Sequence, residues 1–147
     1  LSHMLGYVAE IGPNELNRND FKLLSELKNC FQLGFTNKIY LLLPFAYCLI
    51  LPSYREGFGS VIIEAAASKV PIIATGIPGP QDFIDHMHNG YLINPKSPKE
   101  IKKGLDFYLK NEDLIMKFAT NAFDKCERFF SEKYVCRLFV KEILAEI

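Results

Sequence analysis

The chain has 147 residues, of which 49% are hydrophobic and 23% charged. That balance and length suit one globular domain burying roughly 70% of its unfolded surface, and they exclude an intrinsically disordered chain. Seventeen Lys plus Arg offset seventeen Asp plus Glu, so a basic surface built for nucleic acid is not expected. No apolar run reaches the roughly 18 residues a membrane-spanning helix needs, and the longest, Ile39 to Pro52, contains Pro44. The four cysteines, Cys30, Cys48, Cys126 and Cys136, form no C-x-x-C pair and read as reduced, structural thiols of a cytoplasmic protein. Three histidines without an H-E-x-x-H motif give no support to a metal site. Ser2-His3-Met4 resembles a cloning scar, so residues 1–4 are set aside and 5–147 are read as the domain.

Strand and helix signals then alternate along the chain. Leu5 to Ile11 is a short apolar run closed by Gly12-Pro13-Asn14, a strand followed by a turn. Asn19 caps a helix with Phe21, Leu23, Leu24 and Leu27 at helical spacing. Phe31 to Phe35 reads as a second strand, and Thr36-Asn37 opens a short helix that Pro44 must end or bend. Tyr47 to Leu51 is apolar throughout, as expected of a strand covered on both faces. A loop from Pro52 to Phe58 leads to a helix over Gly59 to Lys69, then a strand over Pro71 to Thr75. Pro80 suits the first position of a helix running to about Asp85, and Gly90 to Ile93 is another strand. Ser97 is placed as cap of a helix from Pro98, with Glu100 completing a capping box. Helices over Glu112 to Phe129 and Ser131 to Ile147 close the chain. Strands separated by helices of this length imply crossovers, hence an α/β, doubly wound, Rossmann-like parallel sheet with a helical C-terminal tail. Ligands of such sheets bind beyond the carboxyl ends of the strands.

The segment with chemical content is Leu51-Pro52-Ser53-Tyr54-Arg55-Glu56-Gly57-Phe58-Gly59-Ser60, which leaves a strand end and enters a helix. Gly57 and Gly59 allow backbone conformations closed to other residues and a close ligand approach. The amides from Gly59 to Ile62 open the helix without internal partners, a seat for phosphate. Glu64 is the odd residue in an apolar helix, with no Lys or Arg at i±3 or i±4. It suits the two hydroxyls of a ribose, and Glu56 the hydroxyls of whatever group hangs from the second phosphate. Arg55 reads as a solvated residue or a phosphate contact, and Thr75 and Gly76 as pocket lining or turn. His86 and His88 read as surface residues. The aromatic residues Phe118, Phe123, Phe129, Phe130, Tyr134 and Phe139 read as packing of the last helices on the sheet, with part of that apolar surface open to association.

Glu56-Gly57-Phe58-Gly59-Ser60-Val61-Ile62-Ile63-Glu64 resembles the E-x7-E motif of retaining glycosyltransferases of the GT-B fold. Val70-Pro71-Ile72-Ile73-Ala74-Thr75-Gly76-Ile77-Pro78-Gly79, Asn89-Gly90-Tyr91-Leu92-Ile93-Asn94-Pro95 and Leu33-Gly34-Phe35 resemble the segments on either side of it, so the likeness runs from about Leu33 to Leu109. It implies the nucleotide-sugar-binding, C-terminal half of a hexosyltransferase that builds a cell-surface polysaccharide or glycolipid in a bacterium. Glu56 would act on the donor sugar as the catalytic and sugar-binding carboxylate. Gly57, Phe58, Gly59 and Ser60 would face the sugar and diphosphate, and Glu64 would hold the ribose of a nucleotide, UDP being the commonest. No obligatory metal or other cofactor is implied. The Gly-Arg and Lys-Gly that such domains carry in their first strand and loop are not found ahead of Leu33. The chain is therefore expected to lack the first βα unit and the N-terminal acceptor domain, to be catalytically silent alone, and to meet a membrane peripherally at most, through that missing domain at the inner face of the cytoplasmic membrane. Two rivals are a GT-B sugar-nucleotide epimerase and a non-catalytic module binding a phosphate ligand or a protein.

Overall fold

A computed structural model describes residues 6–9 (as backbone), 19, 22, 26, 31, 33, 36–57 and 59–131. Its elements are β1 (Gly6–Ala9), β2 (Ala46–Leu51), α1 (Ser60–Ala67), β3 (Ile72–Thr75), α2 (Pro80–Phe83), β4 (Tyr91–Ile93), α3 (Pro98–Lys110) and α4 (Glu112–Phe129). The four strands form one sheet in the order β1-β2-β3-β4, and every pair is parallel. The expected α/β fold with a parallel sheet is the fold observed.

The alternation of side chains along each strand builds a core on both faces. Leu49 and Leu51 of β2 join Ile72 and Ala74 of β3 under Val61, Ile62, Ala65 and Ala66 of α1. Cys48, Ile50 and Ile73 point the other way and pack with Tyr91, Ile93 and Tyr108. Helix α4 serves both layers: Ile115 and Phe118 belong to the second, Ala122 and Cys126 to the first. The apolar face of one 18-residue helix thus wraps past the sheet. In the second layer Tyr108, fully buried, donates its hydroxyl hydrogen to the Ile72 carbonyl at 2.6 Å. Phe118 stacks on Phe107, and Phe130 meets Phe83 edge-on, whereas Phe129 is exposed; Tyr134 and Phe139 lie outside the described residues.

Several local expectations change. The helix expected after Thr36-Asn37 is instead two 3-10 turns, Ile39–Leu41 and Leu43–Phe45. Pro44 enters the first positions of the second turn, and β2 claims the chain immediately afterwards, leaving no room for an α-helical ladder. Asn19 is itself helical, as are Lys22 and Glu26, so Asn19 lies within that helix rather than at its cap. Phe31 and Leu33 have no strand pairing; the rest of the strand expected there, and the last helix beyond Ser131, lie outside the described residues. Helix α2 stops at Phe83, short of Asp85.

The capping box at α3 is also absent. Ser97 holds the N-cap position, but its side chain makes no capping hydrogen bond. Glu100 turns outward instead: its carboxylate accepts from the Asn94 backbone N–H at 2.7 Å and from Asn94 Nδ2 at 3.0 Å. A carboxylate near a helix start prefers two donors from the incoming strand over one orphan amide. The turn before β4 rests on Asn89, 1% exposed. Its Oδ1 accepts from the Asp85 N–H at 2.7 Å and its Nδ2 donates to the Phe83 carbonyl at 3.0 Å. Asn89→Ala leaves both backbone groups without that partner and is expected to cost about 2–4 kcal/mol, read from the urea unfolding midpoint; a change within about 0.5 kcal/mol would show that the turn holds without this side chain.

Candidate active site

The carboxyl ends of β2, β3 and β4 open into three adjacent loops, 52–59, 76–79 and 94–97. Thr75, 1% exposed, ties the first two together by donating its hydroxyl hydrogen to the Leu51 carbonyl at 3.2 Å. Gly76 ties the second to the third, its N–H donating to the Ile93 carbonyl at 2.8 Å. The alternatives left open for both residues resolve to structural roles: Thr75 is sealed in the sheet, and the Gly76 amide is used.

The two glycines of the loop differ. Gly59 stands at the N-cap of α1 in the left-handed region, φ 73°. A Cβ there would lie 3.2 Å from Ile62 Cδ1 and 3.3 Å from Glu56 Cγ, so glycine is required for the strand-to-helix corner. Gly57 has no positive φ, and a Cβ on it would meet nothing within 4 Å. Its expected conformational role is therefore not observed; what its lack of a side chain provides is open space beside Glu56. The loop is braced from Gly79, buried at φ 94°, where a Cβ would come within 2.2 Å of the Gly57 carbonyl oxygen. The Gly79 N–H in turn donates to Asp82 Oδ2 at 3.3 Å, which fixes the brace to α2. The sequence signal for this second loop is Pro78-Gly79-Pro80, a glycine between prolines.

The phosphate seat is smaller than expected. The Ile62 N–H donates to the Gly59 carbonyl at 2.8 Å, which closes the first turn of α1. The Ser60 and Val61 amides have no hydrogen-bond acceptor among the described residues and remain at the positive end of the helix. Phe58 lies outside the described residues. Glu56 in the loop and Glu64 one turn into α1 are both half-buried, and neither carboxylate has an ion-pair partner among the described residues. Arg55 is exposed beside Glu56. The site thus combines two carboxylates able to accept hydroxyl hydrogens with backbone donors able to face an anion. The nearby thiol takes no part in it: Cys48 is fully buried, and burial pushes it up to about 12. His86 and His88 are both exposed. His86 Nδ1 accepts the Leu92 N–H at 2.9 Å, and the His88 carbonyl accepts from Asn121 Nδ2.

Residues 11–125 match the family of glycosyl transferases group 1. The chain belongs to that family. An uncharacterized glycosyltransferase of Haemophilus influenzae is 34% identical over 97 residues, which cover 65% of this chain and 26% of that protein. The capsular polysaccharide biosynthesis glycosyltransferase CapM of Staphylococcus aureus is 25% identical over 122 residues, 83% of this chain and 32% of that protein. Among solved structures, a variant of S. aureus TarM in complex with fondaparinux, alpha-GlcNAc-glycerol and UDP superposes with a TM-score of 0.74 at 26% identity, covering 84% of this chain and 26% of that one. The chain therefore corresponds to about a quarter to a third of the length of these relatives, and its architecture is that of the C-terminal half of a GT-B glycosyltransferase.

Proposed function

We propose that this glycosyltransferase domain binds a nucleoside diphosphate sugar at the carboxyl end of β2 and takes part in its transfer, with retention at the anomeric carbon, to a cell-surface carbohydrate acceptor. The observation that carries the reading is the pair of half-buried carboxylates, Glu56 and Glu64, set on either side of an open helix start. Glu64 accepts from the ribose hydroxyls, the Ser60 and Val61 amides face the diphosphate, and Glu56 accepts from the hydroxyls of the sugar, with Gly57 and Gly59 lining the same wall. The leaving diphosphate is held by such amides and basic side chains rather than by a resident metal ion. UDP is favoured because TarM was captured with it, and a polysaccharide acceptor because CapM serves capsule synthesis. A cytoplasmic site suits the free thiols of Cys48 and Cys126. Among the described residues no helix is long and apolar enough to cross a membrane.

Ligand-observed NMR with UDP, GDP, ADP and inorganic phosphate tests this. One nucleoside diphosphate is expected to bind selectively. Glu64→Ala should weaken it about 10- to 100-fold, the loss of hydrogen bonds to a charged acceptor. Glu56→Gln should leave the nucleoside diphosphate bound and weaken only its sugar conjugate. Silence of the full-length enzyme toward all four ligands would sink the donor-site reading.

A further inference from the structure

The loop from Tyr54 to Gly57 is braced on one side by Gly79; a side chain from a third loop also reaches it. The Lys96 ammonium lies 5.7 Å from the centroid of the Tyr54 ring. Tyr54 immediately precedes Arg55 and Glu56. Lys96 belongs to the turn after β4, and β3 separates β4 from β2, so the contact spans two steps of the sheet at its carboxyl edge.

The turn that carries Lys96 is a firm base. Asn94 is held twice by Glu100, Pro95 and Pro98 flank Lys96 and Ser97, and Pro98 starts α3. Lys96 itself is in the left-handed region at φ 59°, a conformation glycine adopts with far less strain. A lysine in that conformation gives up backbone freedom, and the contact its side chain makes is with the aromatic ring of the loop beside Glu56. Within about 6 Å an ammonium is attracted to a tyrosine face.

We propose that Lys96 is a positioning residue: through the Tyr54 ring it restrains the Arg55-Glu56-Gly57 segment in the geometry that receives the donor. The inference rests on the donor-site reading for its functional consequence but not for its structural one. Lys96→Gly removes the ammonium and relaxes the turn. It should leave thermal stability unchanged or higher, speed amide hydrogen exchange at Arg55, Glu56 and Gly57 about two- to fivefold, and weaken nucleotide-sugar binding by a similar factor. Lys96→Arg, which keeps a cation over the ring, should restore both. In a Tyr54→Leu background Lys96→Gly should do nothing further, because the two residues act as one unit.

Unchanged exchange at residues 55–57 in Lys96→Gly would overturn the proposal. So would additive losses of affinity in the double variant, which would mean that Lys96 touches the ligand itself. Exchange is read without ligand. If no nucleotide sugar binds the full-length enzyme, the donor-site reading fails while the exchange data still decide the role of Lys96.

Discussion

Gly79→Ala is expected to destabilise the protein by about 2–6 kcal/mol and to abolish ordered donor binding together. Two independent costs add. At φ 94° and ψ −79° the backbone is closed to alanine without strain of about 1–3 kcal/mol. The added methyl would also sit 2.2 Å from the Gly57 carbonyl oxygen and 3.3 Å from that of Glu56. Backbone cannot rotate away as a flexible side chain could, so overpacking adds a further 1–3 kcal/mol or so. Relief requires one loop to lift off the other, and the loop that lifts carries Glu56. Gly57→Ala is the matched control: it adds the same methyl to the same contact region, but into open space, and should stay within about 0.5 kcal/mol. Chemical denaturation of both variants tests the pair. Equal stabilities would show that the loops are not wedged at Gly79.

The contrast between these glycines marks where sequence reasoning stopped. The strands were legible because short apolar runs such as Tyr47 to Leu51 and Pro71 to Thr75 between turn signals suit strands covered on both faces, and the Glu56–Glu64 spacing survives folding since a strand end, a corner and a helix fix it locally. The glycines were not legible in the same way. Gly57 and Gly59 look alike in Gly-x-Gly, yet only Gly59 turns the left-handed corner, and the residue that constrains Gly57 lies 22 positions away in another loop. The capping box failed for a related reason: Ser97 and Glu100 have the right spacing, but Asn94 offers Glu100 two donors, a competition that appears only once β4 and α3 are placed together. Lys96 carries no motif at all. Its side-chain contact with Tyr54 depends on sheet order, which parallel crossovers constrain but do not spell out residue by residue.

Stability should hold level through neutral pH and fall steeply above about pH 9, and the cause is the second core layer rather than the site. Cys48 is pushed from 9.0 up to about 12 by burial. The Tyr108 hydroxyl is raised well above its ordinary 10.0, first by burial and then by the neighbouring Cys48 and Tyr91. Both groups are neutral when protonated, so folding favours the protonated form of each. In the unfolded chain the thiol loses its proton near 9.0 and the phenol near 10.0, while the folded chain holds both. Above those values the unfolded state binds fewer protons, so stability decreases as pH rises. Each group contributes about 1.4 kcal/mol per pH unit once past its unfolded value, or about 4 kcal/mol together by pH 11. Urea midpoints between pH 7 and 11 should show this slope, and Cys48→Ala should make the decline between pH 9 and 10 shallower, leaving the part due to Cys126, whose thiol burial also raises. Parallel curves for the two proteins would mean that the thiol titrates freely and that the layer beneath β2 is open to water. The level range below pH 9 matters for function. Within it the fold loses no stability to these two groups, so they contribute nothing to any pH dependence of donor binding measured there.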